Sequence, residues 1–151
     1  MNTWTAALYL KALRDNLKAR PGLAGVLVYG APIGANDRIN EAIAFIDIDT
    51  VEVPAALGNR SREEDYTIEG VIEVNQPGAG DDIADAARDR AVAILAEIEA
   101  EVREKPDAGI NPPGQQIVRH SGITRKNLRQ RTRDEYRVAI IEVDITITTR
   151  I

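Results

Sequence analysis

The sequence predicts an α+β fold, a mainly antiparallel sheet of about five strands with two helices packed on one face, in the order α–β–β–β–α–β–β. Three observations carry this. Two stretches place apolar residues at helical spacing, and several others alternate or run apolar like strands. The second and third strands, like the last two, follow one another without an intervening helix, so antiparallel pairing is expected. Hydrophobic residues make up 44% of the 151-residue chain, which is enough to build a core, and the length fits a single domain spanning 1–151.

The first helix is expected from a cap at Thr3 to about Arg20, with Leu10, Leu13 and Leu17 as its stripe and Ala6 above them. Pro21 and Gly22 stop it. Residues 23–29 form a short apolar strand, and residues 30–40, with Gly, Pro and Asn, form a loop. In the second strand, 42–53, alternation puts Ala42, Ala44, Ile46 and Ile48 on one face and Ile43, Phe45, Asp47 and Asp49 on the other. Residues 54–61 read as a loop.

The third strand, 65–75, alternates more cleanly. Tyr66, Ile68, Ile72 and Val74 face one way, against Thr67, Glu69, Glu73 and Asn75 on a wet side. A Pro77-Gly78-Ala79-Gly80 turn leads into the strongest helix, 81–104, with Ile83, Ala87, Ala91, Ile94, Ile98 and Val102 as its buried stripe. Asp81, Asp82 and Asp85 favour its positive end. After a loop at 106–114, residues 117–123 form a strand leading into a basic hairpin or loop at about 119–133. The last strand, 135–149, buries Ala139, Ile141, Val143, Ile145 and Ile147. It is long for a strand and is expected to overhang the sheet at one end.

Composition removes several chemistries. With no cysteine there are no disulfides, thiolate metal sites or cysteine nucleophiles, and the single histidine, His120, precludes a multi-histidine metal site. No apolar run reaches membrane-spanning length and the N-terminus lacks a secretory pattern, so synthesis in the cytosol is expected.

Candidate catalytic, cofactor and metal sites each fail on a named point. Gly78-Ala79-Gly80 before a helix invites a phosphate-loop reading, but Asp81 and Asp82 would stand where phosphates bind and no Walker-type Lys follows. Asp47 with Asp49, and Glu142 with Asp144, could hold a divalent cation if their strands were neighbours. Alternating acids more commonly mark a wet strand face. His120 and Ser121 are adjacent on a strand and point to opposite faces. No catalytic residue, cofactor or metal ligand is assigned, and the chain is read as a non-enzyme.

The most unusual feature is charge separation. Arg119, Arg125, Lys126, Arg129, Arg131 and Arg133 give residues 119–133 a local +6 with no acid, leaving −11 for the remainder of a chain whose net charge is −5. Nucleic acid is the second-ranked partner for this stretch, because no aromatic residue is present to stack on bases and the rest of the chain repels a polyanion. Pairing with an acidic surface of another copy is preferred. The helix at 81–104 has eight acids against three bases, and Glu97, Glu101 and Glu104 are the candidate contacts on it.

The run LGNRSREEDYTIEGVIEVNQPGAGDDIADAARDRAVAILAEIEAEV (57–102), with the N-terminal helix and the long final strand, resembles tail-completion proteins of long-tailed bacteriophages. The likeness points to the tail terminators of siphophages infecting actinobacteria. It rests on the Arg/Glu-rich start of a strand ending in a Pro-Gly turn and on the Ala-rich acidic helix, and the Arg-rich stretch is not among its marks. The resemblance implies a structural virion protein at the head-proximal end of the tail, with itself, the tail tube protein and the head–tail connector as partners. It implies a ring, commonly hexameric, that caps the tube, stops its growth and presents a surface to the head. A neighbouring head–tail joining protein is the alternative within the same class.

Overall fold

The structure, a computed structural model, describes residues 5–34, 40–54 and 62–150. The first helix, α1 (Ala6–Lys18), begins after Thr5, whose carbonyl accepts from the Tyr9 amide at 2.9 Å. The expected cap Thr3 lies outside the described residues. Ala6, Tyr9, Leu13 and Leu17 form its buried row, and Leu10 packs at the margin. Pro21–Leu23 is a 3₁₀ turn and Gly25 takes φ 83°. This turn splits the apolar run at 23–29, so only Leu27–Tyr29 becomes strand β1.

The remaining elements are β2 (Glu41–Pro54), β3 (Arg62–Pro77), α2 (Asp81–Glu104), β4 (Val118–Arg133) and β5 (Tyr136–Arg150). Together they give the α–β–β–β–α–β–β order. The five-stranded sheet runs β1-β2-β3-β5-β4, with β1 parallel to β2 and every other pair antiparallel. Residues 55–61, the expected loop between β2 and β3, lie outside the described residues.

Both helices contribute to one core on one face of the sheet. The inward row of β3 is Tyr66, Ile68, Ile72 and Val74, and that of β5 is Ala139, Ile141, Val143, Ile145 and Ile147. Onto these rows α2 lays Ala87, Ala91, Ile94, Ile98 and Val102, with Leu95 beside them, while Ile83 stays half-buried. Each fully buried Ile contributes about 1.5–3 kcal/mol relative to an exposed one. The turn into α2 needs its glycines: Gly78 and Gly80 have φ of 121° and 97°, where a Cβ would be strained.

Two expectations are corrected by the register. Simple alternation fails in β2 because the ladder shifts between Phe45 and Asp47. Ile46 is the extra residue, exposed at the bulge, so Ile43 and Phe45 face the core and Ile48 rejoins that side beyond it. Gly70 of β3 lies opposite Phe45, and a Cβ there would stand 3.3 Å from the Phe45 ring and 3.2 Å from Val143.

The long last strand has no overhang. It lies between β3 and β4, pairing with 63–77 of the first and 118–133 of the second, because its 15 residues are matched by 16 in each neighbour. The basic stretch is therefore a full strand paired to β5. It forms one arm of a hairpin whose turn is Asp134 and Glu135.

Candidate assembly surface

Because β4 pairs with β5 in a regular antiparallel register, its side chains divide between the two faces. Lys126 lies opposite Val143 and Gln130 opposite Ala139, on the helix side. Lys126 Nζ accordingly reaches Glu99 Oε1 at 2.8 Å and Gln130 Nε2 donates to the Ala84 carbonyl at 2.8 Å, so both hold the edge strand to α2. Arg125, Arg129, Arg131 and Arg133 lie opposite Asp144, Ile140, Val138 and Tyr136, on the face without helices.

There the arginines form a column matched by acids of β5 and of β3 beyond it. Arg125 lies 3.5 Å from Glu142 and 4.0 Å from Asp144, and Arg129 pairs with Glu142. Arg131 and Arg133 approach Glu73 of β3 at 3.9 and 3.5 Å. The arginine ends are half-exposed, so the pairs to Glu142 and Asp144 are worth about 0–1 kcal/mol each and orient the column more than they stabilise the fold. Glu73, expected with Asn75 on a wet side, is instead buried beneath Arg131 and Arg133. Val138 and Ile140 are buried on this face, with Arg131 and Arg129 as their cross-strand neighbours. Arg119 stands apart at the irregularity between Val118 and His120, exposed and with no carboxylate in ion-pair reach among the described residues.

The acidic candidates on α2 lie elsewhere. Glu97, Glu101 and Glu104 converge on Arg20, at 2.7, 2.7 and 3.2 Å. The Glu97 and Glu101 carboxylates hold the Arg20 guanidinium well above its usual pKa. The cluster ties the end of α1 to the end of α2. Gly22 lies beneath it, and a Cβ there would meet the Glu97 carboxylate and push that flexible end aside, out of its pairing with Arg20. The structure thus brings the arginine column together with Glu73, Glu142 and Asp144 of its own sheet, and gives the α2 acids to Arg20. Alternation alone marks Glu142, Asp144 and Glu73 as outward-facing, but it carries no register, so these pairings are not legible in the sequence.

The same face has a second zone. Asp47 lies in register with Glu69, Glu69 with Asp144, and Asp144 with Arg125, so one line across the sheet runs from acid to base. Asp47, Asp49, Asp65 and Glu69 have no cation within ion-pair distance among the described residues. The two carboxylate pairs considered for a metal are separated by β3, and among the described residues no three His, Asp or Glu side chains converge as a metal site. His120 lies opposite Thr148 on the open face. Ser121 turns to the other side, its hydroxyl donating to the Pro106 carbonyl at 2.8 Å. Among the described residues no helix is long and apolar enough to cross a membrane.

These features define an α+β chain with one helix-covered face and one open, charge-divided face. Among solved structures, the chain is similar to a chain of the virion of native gene transfer agent (GTA) particle, at 15% identity and a TM-score of 0.59. The alignment covers 97% of this chain and 99% of that one, so the likeness is of the whole fold. No protein-family model and no curated protein matches the sequence.

Proposed function

We propose that this chain is a structural protein of a phage-like virion, acting as a tail terminator whose ring caps the tail tube, stops its elongation and offers the surface that joins the head. The observation that carries the reading is the end-to-end likeness in fold to a chain of a gene transfer agent virion. The resemblance of residues 57–102 to tail-completion proteins supports it from the sequence side. In this reading the chain's partners are its own copies, the tail tube protein and the connector, and its place is the head-proximal end of the tail. A closed ring needs two different, complementary patches on each copy, and a face divided into acidic and basic zones supplies them. The arginines of β4, namely Arg125, Arg129, Arg131 and Arg133, form the basic patch.

The test is an elongation reaction with purified tail tube protein. Adding the chain should arrest tube growth and leave ring-shaped density on one end of each tube in negative stain. Tubes that grow to unchanged lengths with bare ends would overturn the reading.

A further inference from the structure

The sheet ends at one side in β4, whose only strand neighbour among the described residues is β5. The start of its outer edge is already occupied. The Asn111 side-chain amide accepts from Val118 N at 2.8 Å and donates to Val118 O at 3.0 Å, so a peptide-like group sits where a sixth strand would begin. Beyond this clamp Ser121, Gly122 and Ile123 are half-buried, and the residues from Thr124 to Arg133 are all exposed. No strand among the described residues lies along that stretch, which spans about 30 Å at the usual rise of a strand. Backbone groups on such an edge are a template for an added strand.

We propose that this edge receives, as a sixth strand, an extended segment of a different protein chain with carboxylates at alternate positions. Two rows of side chains set that chemistry. On the open face the incoming strand would meet Arg125, Arg129, Arg131 and Arg133, each about half exposed. Among the described residues only Glu73, Glu142 and Asp144 lie within ion-pair reach of these four guanidiniums, so the column keeps positive charge that facing acids would offset. On the helix side the strand would meet Lys126, Leu128, Gln130 and Thr132. Lys126 and Gln130 are engaged with α2, and Leu128, 41% exposed, lies between them. An apolar residue facing Leu128 would cover it. The fitting sequence therefore alternates acid with apolar or neutral residues, the acids on the arginine side. A second β4 is repelled by the same arginines. Nucleic acid would use the arginines alone and leave the backbone edge and Leu128 unanswered. The proposal goes beyond the terminator reading and does not depend on it, because the edge belongs to the single chain.

The test uses the full, isotope-labelled chain and a capped peptide of about nine residues alternating Glu and Val. At low salt and saturating peptide, the outward amides of 124–133 should exchange about tenfold more slowly, with α1 unchanged. Arg129→Gln with Arg131→Gln should weaken this binding about tenfold while circular dichroism stays the same. A fully N-methylated copy of the peptide keeps the charge but has no backbone donors, and it should give no protection. Equal protection by that copy, or by oligothymidylate, would show attraction by charge alone and overturn the strand addition. So would the absence of protection at millimolar Glu–Val peptide. Arrest of tube growth is read in a separate reaction, so either proposal can fail without the other.

Discussion

At the scale of single residues, the core depends on a few positions where size or charge leaves no slack. Gly70 is one, because it gives the Phe45 ring room over β3 beside the bulge. Gly70→Ala should destabilise the fold by about 1–3 kcal/mol, read from the midpoint of urea unfolding. Arg20 is another, since Glu101 is almost wholly buried against it. Arg20→Ala should cost about 2–4 kcal/mol, and combining it with Glu101→Gln should recover part of that, because the damage is a stranded buried charge.

Tyr9 and Tyr66 meet edge to face, with centroids 6.1 Å apart, and burial pushes the Tyr9 hydroxyl up to about 12 and the Tyr66 hydroxyl higher still. A phenol whose folded pKa is raised keeps its full contribution below the unfolded value, near 10. Stability is then lost as pH rises through the window from about 10 to 12, at about 1.4 kcal/mol per pH unit for each tyrosine. Tyr9→Phe should flatten that alkaline loss in unfolding curves recorded at pH 9 to 12. Its cost at neutral pH should be small, because among the described residues the hydroxyl makes no hydrogen bond of good geometry, only a weak approach to Ser121.

At the scale of elements, legibility followed periodicity. The strand β3, the helix α2 and the inward row of β5 were readable because each keeps one period over its whole length and buries one face. The bulge in β2 was not, since Ala42, Ala44, Ile46 and Ile48 alternate perfectly with Ile43, Phe45, Asp47 and Asp49 on paper. Only pairing with β3 shows that Ile46 is the inserted residue. The length of β4 was hidden for a related reason. Its residues 124–133 are all exposed, so no apolar rhythm announces a strand, and it is held by β5 backbone, by Lys126 to Glu99 and by Gln130 to Ala84. As an edge strand it should exchange its outward-pointing amides quickly and its β5-facing amides slowly. In hydrogen exchange followed by NMR, this alternation from His120 to Arg133 should be visible in the free protein.

At the scale of the whole molecule, the charge separation visible in the sequence is resolved into a map. The +6 stretch does not project as a basic tip. It lies along one border of an open sheet face, half satisfied by Glu73, Glu142 and Asp144, while acids with no cation in reach among the described residues occupy the opposite border. Which acids would be matched and which left over could not be read from composition, because it depends on the strand order β2-β3-β5-β4, and a linear sequence does not state that order. Attraction between such solvent-facing zones is screened by salt. Self-association should therefore weaken steadily between low and high sodium chloride in sedimentation experiments, while the unfolding midpoint of the single chain moves little.

The arginine column also decides which pairings are forbidden. Two β4 borders laid together antiparallel would bring Arg125, Arg129 and Arg131 of one copy against the same residues of the other. Like charges facing each other across a strand pair are destabilising, so the symmetric two-fold dimer that an edge strand normally invites is disfavoured at the β4 border. A strand laid along the β4 border would have to bring acidic or neutral side chains to meet it.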